Sequence, residues 1–367
     1  MVIRMNMRES FAGFYNKRRV FVTGHTGFKG AWLCLWLKML GAEVCGYSFD
    51  IPTNPSCFSL ANVADGIVSI NGDIRNYELL EKSIQDFKPD IVIHMAAQSL
   101  VRRSFENPVD TFSTNVMGTV HLLDVVRTIE SVRAVVNVTS DKCYENQEWL
   151  WGYRENDPMG GYDPYSSSKG CSELVSSAYL RSFFNPGHYE QHRVALASAR
   201  AGNVIGGGDF AEDRLIPDVF RAFSNGDSVH IRSPHAIRPW QHVLEPLAGY
   251  LLLAQRLYIE GPRFIGGWNF GPHDESVLEV GQVVKQFAGC WGDDVQWTMD
   301  DGNHPHEAAL LKLDCSKART LLGWTPCLNV NQALEWSAIW YKTFRDHSDE
   351  LQVLSLDQIR QYEGLMI

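Results

Sequence analysis

Tyr165 and Lys169 stand four residues apart in Asp163-Pro164-Tyr165-Ser166-Ser167-Ser168-Lys169. On a helix, positions i and i+4 share one face, so the phenol and the ammonium become neighbours. A nearby cation stabilises a phenolate and draws the tyrosine pKa down from about 10 toward neutrality. Such a phenol can act as general base toward an alcohol while hydride leaves the same carbon. An ordinary surface helix pair has the same spacing. Ser140, Asp141 and Lys142 follow the apolar run Ala134-Val135-Val136-Asn137-Val138-Thr139. They put a hydroxyl, an acid and an amine at a strand end, and such ends face the ligand crevice of an open parallel sheet. The alternative for Asp141 and Lys142 is a plain surface ion pair.

A departing hydride needs an acceptor, and the start of the chain has the form of a site for one. Val20-Phe21-Val22-Thr23 reads as a strand, and Ala31 to Leu40 reads as a helix. Between them Gly24, Gly27 and Gly30 recur at every third position, with Phe28 and Lys29 inside the turn. This is a variant of the GxGxxG dinucleotide fingerprint, in which glycines let backbone N–H groups approach a diphosphate at a helix N-terminus. Asp50 follows Gly30 by twenty residues, close to where an acid takes a ribose hydroxyl; Ser48 is the neighbouring candidate. Asp73 and Ile74 end a third short strand, where Asp73 either meets an adenine edge or caps the following helix.

The intervening segments supply the scaffold. Strands at 43–50, 67–70, 89–97, 134–139 and 194–199 alternate with helical stretches, among them 77–87, 108–129 and 165–181. That alternation predicts an α/β fold: a doubly wound parallel sheet with a smaller, mixed α/β C-terminal lobe. The expected division is an arm at 1–18, frayed before the first strand, and a dinucleotide-binding domain at 19–199 completed by segments near 236–260. The lobe spans 200–367, with helices at 244–257, 277–287 and 331–343 and a short strand at 268–270.

Hydrophobic residues make up 45% of the 367 and charged ones 21%, enough apolar material for a large core. A net charge of −10 argues against a nucleic-acid surface, so local cations must grip any anionic substrate. No apolar run is long enough to cross a bilayer. The eight cysteines form no CxxC pair, which favours a reducing, cytoplasmic setting over disulfides or zinc. His304, His306 and Glu307 lack a further spaced ligand, so no metal is expected.

Taken together, Gly24-x-x-Gly27-x-x-Gly30, Asp73-Ile74, His94-Met95-Ala96-Ala97, Asn115, Ser140 and Tyr165-x-x-x-Lys169 resemble the extended short-chain dehydrogenase/reductases. The resemblance covers residues 19–345. Asp314-x-x-Lys317-Ala318-x-x-x-Leu322-Gly323-Trp324-x-Pro326 resembles their nucleotide-sugar branch, and Ser140-Asp141-Lys142 resembles its 4,6-dehydratases. NAD is the cofactor the resemblance implies. It would be held by Gly24, Gly27, Phe28, Lys29, Gly30, Ser48, Asp50, Asp73, Ile74, Ala96, Ala97 and Asn115, with Tyr165 and Lys169.

The resemblance also implies a redox-neutral reaction. Tyr165 takes the C4 hydroxyl proton, and the C4 hydride is lent to NAD and returned to C6. Ser140 bonds the forming carbonyl, and Lys169 holds Tyr165 and the nicotinamide ribose. Asp141 protonates the departing C6 hydroxyl. Relatives carry glutamate as the C5 base where this chain has Lys142, which would serve if burial or a nearby cation lowered its pKa. By position, Asn203, Arg238 and Asn269 match the substrate diphosphate contacts, and Arg214 with Leu215 lies near the nucleotide. Gln98 and Ser104 face the sugar or cap their loop. Arg238 is alternatively a structural ion-pair partner, and Arg200 fits that part better.

A homodimer or higher homo-oligomer is implied, built on the helices at 108–129 and 165–181. Products of this branch lead to deoxysugars of bacterial O-antigens. A C4 epimerase would share everything but the Asp141-Lys142 pair, and a dinucleotide-sensing regulator would lose Tyr165 or Lys169.

Overall fold

The computed structural model describes residue 11 and residues 13–292, 297–300 and 310–366. The histidine loop at 304–306 lies outside the described residues.

Seven parallel strands form the central sheet. They are β1 (Arg19–Thr23), β2 (Glu43–Ser48), β3 (Val68–Asn71), β4 (Ile91–His94), β5 (Ala134–Val138), β6 (Ala195–Arg200) and β7 (Gly266–Asn269). Their spatial order is β7-β6-β5-β4-β1-β2-β3. β4, β5 and β6 are buried along their whole length, as strands covered on both faces must be. One face is covered by α1 (Phe28–Met39), whose Trp32 and Trp36 lie fully inside that core. The other face is covered by α2 (Tyr77–Phe87), α3 (Gly118–Val126) and α4 (Pro164–Ser182).

Four further helices follow: α5 (Leu215–Asn225), α6 (Leu244–Glu260), α7 (Val280–Trp291) and α8 (Val330–Asp346). A last helix, α9 (Leu351–Leu365), ends the chain.

Several boundaries differ from the sequence reading. The expected strand near 268–270 is not part of the lobe: β7 pairs in parallel with β6 and forms an edge of the main sheet. Neither α5 nor α9 is anticipated. α9 returns to α1, where Trp36 Nε1 donates to Glu363 at 2.8 Å. The helix expected over 108–129 is interrupted by a π-turn at Ser113–Met117. Val277–Glu279 is a strand paired with Ile237–Pro239, so α7 begins only at Val280. The described part of the arm is not frayed: Phe11 and Tyr15 are buried, and the Tyr15 hydroxyl donates to the Leu251 carbonyl.

Candidate active site

The glycine turn joins β1 to α1, and two of its glycines are fixed by close approach. Gly24 has φ +76°, and a Cβ there would stand 2.7 Å from Ala96 N. A Cβ on Gly30 would stand 2.1 Å from the Gly24 carbonyl oxygen. These contacts bring helix, turn and the end of β4 together. Gly27 is different: a Cβ there would meet only the Gly24 oxygen, at 3.4 Å. Gly27 opens α1 with no side chain capping it, so first-turn N–H groups remain for an anion. Phe28 lies against Gly206.

Beyond the turn, the Thr26 hydroxyl reaches Ser48 Oγ at 2.8 Å and the Asp50 carbonyl at 2.7 Å, which sets the end of β2. Asp50 itself is exposed. Asp73 does not cap α2; Asn76 does, by accepting from Leu79 N. The Asp73 carboxylate is instead gripped by Arg75 at 2.6–3.0 Å, and that guanidinium holds its pKa below the usual carboxylate range. Ile74 is buried against Gly118. Ala96 N donates to the Thr23 hydroxyl at 3.1 Å, and Ala97 follows half-buried. His94 is a satisfied strand-end histidine, 2.7 Å from the Thr23 hydroxyl and pushed down to about 3 by burial.

Asn115 points inward. Its amide donates to the Gln98 carbonyl at 3.0 Å and to Ser168 Oγ at 2.8 Å, and accepts from Gln98 N at 2.8 Å. It therefore ties the chain after β4 to α4. Gln98 is occupied too, closing on the Leu100 backbone and Thr111 Oγ1. Ser104 is fully buried, donating to the Val101 carbonyl at 2.6 Å. Burial gives each of these polar groups a local partner, Gln98 in the turn after β4 and Ser104 within the helix at 101–106.

The catalytic candidates do come together. Asp163 caps α4, accepting from Ser166 N at 2.9 Å, and Pro164 occupies the first helical position. That start places Tyr165 near the end of β5, where Ser140 lies within electrostatic reach of its phenol. The Ser140 hydroxyl in turn donates to Asp141 Oδ1 at 3.0 Å. Asp141 Oδ2 is buried without a partner among the described residues. It sits where a Cβ on Gly202 would lie, 1.7 Å away. Lys169 is buried and donates to the Val138 carbonyl at 3.3 Å. Lys142 is half-buried in the turn Asp141–Cys143.

The electrostatics correct one expectation. Tyr165 is not drawn toward neutrality; burial pushes it up to about 12, outweighing the lowering influence of Ser140. Lys169 is lowered to about 8, mainly by its own burial. An ammonium that is itself desolvated and turned to a carbonyl gives the phenol little help. Lys29, half-buried in the first turn of α1, is lowered to about 7 by burial and by the Arg214 and Lys169 cations.

On the substrate side, Arg214 bonds Asp209 at 2.8 Å and Ser99 at 3.0 Å, just ahead of Leu215 at the start of α5. Asn203 adopts φ +45° and its carbonyl accepts from Gln241 N at 3.2 Å. Arg238 lies on the Ile237–Pro239 strand. Asn269 is the clear departure. It is fully buried, accepts from the Tyr144 hydroxyl at 2.7 Å, and donates to the Tyr153 and Asp314 carbonyls. It locks β7 in place and has no group left for a diphosphate. Arg200 is the structural ion-pair partner, bonded to Glu173.

Two residues escaped the sequence reading. Gly202 makes room for Asp141, and Tyr250 on α6 buries an unpartnered hydroxyl in electrostatic reach of Tyr165 and Asp141. In sequence Tyr250 is one more apolar position of a core helix. Among the described residues no three His, Cys, Asp or Glu side chains are grouped to hold a metal ion, and no helix is long and apolar enough to cross a membrane.

Residues 21–336 match the family described as GDP-mannose 4,6 dehydratase. The chain is 59% identical to the CDP-glucose 4,6-dehydratase of Salmonella typhimurium over 95% of this chain and 97% of that one. It is 26% identical to the dTDP-glucose 4,6-dehydratase of Xanthomonas campestris, over 88% and 92% of the two chains. Among solved structures, DesIV of Streptomyces venezuelae, a dTDP-glucose 4,6-dehydratase with NAD and TYD bound, matches with TM-score 0.76. Its identity is 23%, over 92% of this chain and 99% of that one. UDP-glucose 4-epimerase of Thermotoga maritima matches with TM-score 0.76 and 20% identity, over 89% and 99%. At these identities the structural likeness establishes the fold.

Proposed function

The chain belongs to the GDP-mannose 4,6-dehydratase family, and within it we propose a CDP-glucose 4,6-dehydratase. This NAD-dependent hydro-lyase converts CDP-D-glucose to CDP-4-keto-6-deoxy-D-glucose and water. The observation that carries the reading is the near full-length identity to the Salmonella enzyme, which fixes the nucleotide as well as the reaction. Tyr165, Ser140 and Asp141, gathered near the end of β5, supply the acid–base groups it needs.

The turn suits NAD. Gly27 leaves an open face at an uncapped helix N-terminus, which fits a diphosphate. The end of β2, with Ser48 and Asp50, is where a ribose would lie. Bound NAD supplies a reversible hydride acceptor, so the sugar is oxidised and reduced with no net redox change.

The protein's own groups do the rest. Tyr165 accepts the O4 proton, and Ser140 steadies the new carbonyl. The ketone acidifies C5–H; Lys142 stands where relatives carry the base, and Asp141 delivers a proton to the leaving C6 hydroxyl. Asp141 separates this reading from an epimerase, which eliminates nothing. Arg214, Arg238 and Asn203 supply the polar groups for the substrate diphosphate. On this reading the protein is a cytoplasmic homodimer joined through the helices at 108–129 and 165–181, where Val109, Met117 and Leu174 are exposed. Eight free cysteines suit a reducing compartment. The product serves deoxysugar and O-antigen synthesis.

The test is a panel of CDP-, dTDP-, UDP- and GDP-glucose, scored by mass for a product one water lighter. CDP-glucose should react fastest, and deuterium placed at C4 should reappear at C6. Preference for another nucleotide, or label lost to solvent, would defeat the proposal. Lys142→Ala should still oxidise C4 but lose C5 exchange with deuterated solvent; unimpaired exchange removes Lys142 as the base.

A further inference from the structure

On the CDP-glucose reading above, some part of the protein has to tell cytosine from uracil. The two bases differ along one edge. Cytosine offers a 4-amino donor beside an N3 acceptor, and uracil offers the reverse. A carboxylate that accepts from the amino group and a guanidinium that donates to N3 therefore fit cytosine and oppose uracil. We propose that Asp213 and Arg232, at the lip of the crevice, form that reader: Asp213 accepts from the cytosine 4-amino group and Arg232 donates to N3.

Two elements bring the pair to the crevice. Asp213 directly precedes Arg214, whose guanidinium reaches Ser99 Oγ beyond the end of β4 at 3.0 Å. Arg102, on the helix at 101–106 that follows the same strand, comes within 3.2 Å of Asp213 Oδ1. Asp213 thus stands over the carboxyl ends of the sheet, where ligands of open parallel sheets bind. Arg232 approaches the same oxygen at 3.5 Å from the lobe. It follows the strand Val229–Ile231, and a short turn closed by Ala236 N and the Ser233 carbonyl leads on to the Ile237–Pro239 strand. That strand carries Arg238. One ribbon therefore presents Arg238 for the substrate diphosphate and Arg232, one turn away, for the base.

Recognition suits Asp213 better than a purely structural part. Its side chain is 36% exposed, and both cations come nearest to one oxygen, so the carboxylate keeps acceptor capacity for a ligand. Asp209, the partner of Arg214, is by contrast almost wholly buried and committed to that pair. Ion pairs as exposed as those of Asp213 add little to folding stability, which leaves the gathering of three charges at the lip without a structural purpose. Asp213 also holds φ +61°, a left-handed backbone that Asp and Asn tolerate better than other residues with a side chain. Such conformations persist where the surroundings over-determine them, and they gather at ligand clamps.

A base lacking only the 4-amino group tests the reader. The diphosphate of pyrimidin-2-one riboside should inhibit the wild-type protein about tenfold less well than CDP, or weaker still. Asp213→Gly keeps the positive φ and removes the carboxylate, so it should be inhibited equally by both compounds. Its preference for CDP-glucose over UDP-glucose, as a ratio of kcat/KM, should fall by about tenfold or more. Asp213→Asn keeps an acceptor oxygen without the charge and should keep much of the preference. Equal inhibition of the wild-type protein by CDP and the analogue would overturn the assignment, even if every variant misfolded. A preference unmoved in Asp213→Gly would overturn it as well. So would an Asp213→Asn protein that loses rate on both sugar nucleotides alike, because a loss that follows the charge marks an ion-pair hub. A wild-type protein that dehydrates no CDP-glucose removes the dehydratase reading itself, a result separate from all of these.

Discussion

Arg200 grips Glu173 with two parallel hydrogen bonds, 2.8 and 2.9 Å long, beneath the strand end that carries Ser140. Both side chains are almost wholly buried, and Thr139, the residue before Ser140, donates its hydroxyl to the same carboxylate at 2.5 Å. The remaining guanidinium nitrogen reaches the Tyr144 hydroxyl at 2.6 Å, and through it Asn269 of β7. One ion pair thus joins α4, β6 and the chain just ahead of Ser140. A buried pair of this kind is expensive to break from one side, because the partner is left charged and dry. Arg200→Met should lower unfolding stability by about 3–5 kcal/mol in denaturant titration. Replacing both partners with apolar residues should recover part of that loss; a single variant within 1 kcal/mol of wild type would deny the pair its role.

Gly202 gives a handle on the site, since the three atoms nearest a Cβ there all belong to Asp141. A methyl at Gly202 would overlap Asp141 Oδ2, so Gly202→Ala must displace that carboxyl. The expected result is a kcat about 100-fold lower with KM little changed, since the substrate diphosphate is held elsewhere. Steady-state kinetics with CDP-glucose would show it, and a kcat near that of wild type would place Asp141 outside the reaction.

Lys169 should impose an alkaline limit on activity. Its ammonium is held down to about 8 by burial, so it is charged below that pH and neutral above it. Loss of the charge removes the cation proposed to hold the cofactor ribose. The kcat profile should therefore fall as pH rises through about 8. Lys169→Arg keeps its charge across that range and should show no such fall, whatever its absolute rate. A wild-type profile flat to pH 10 would contradict the assignment.

Glu245 links stability to pH. It is buried on α6, accepts from the Cys327 and Leu328 backbone N–H groups and from the Tyr362 hydroxyl, and is pushed up to about 7 by burial. Between the ordinary carboxyl range and pH 7 the unfolded chain is ionised at this residue, while the folded chain keeps its proton. Raising the pH across that window therefore favours unfolding. The contribution is of order 3 kcal/mol between pH 4.5 and 7. Glu245→Gln cannot ionise and should flatten that part of the stability curve. A wild-type stability that climbs from pH 5 to 7 with the same slope in both proteins would refute it.

The helices at 108–129 and 165–181 should form an interface between copies. Val109 and Leu174 on them are 81% and 60% exposed. Asp at both positions should convert a dimer into a monomer in sedimentation velocity without loss of helical signal. A double variant that still sediments as the wild type does would place the contact elsewhere.

Much of the molecule is legible in order along the chain. The strand–turn–helix around Gly24, Gly27 and Gly30, the alternation behind the parallel sheet, and the Tyr165–Lys169 pair all depend on neighbours a few residues apart. Periodicity and spacing record such relationships directly. Other features depend on what the fold brings in from a distance. Asn269 carries a diphosphate-contact position in its motif, yet β7 buries it between Tyr144 and Asp314. Gln98 and Ser104 read as sugar contacts or loop caps alike until burial shows each hydroxyl and amide already taken.

The sequence by itself determined the fold class, the dinucleotide turn and which side chains could do acid–base work, because local geometry follows from residue type and spacing. Only the tertiary structure decided how those groups titrate and whom they touch. Tyr165 is raised rather than lowered because burial outweighs a lysine turned to Val138. Asp141 has its space from Gly202, and Tyr250 comes within electrostatic reach of it, residues far along the chain that only packing places there.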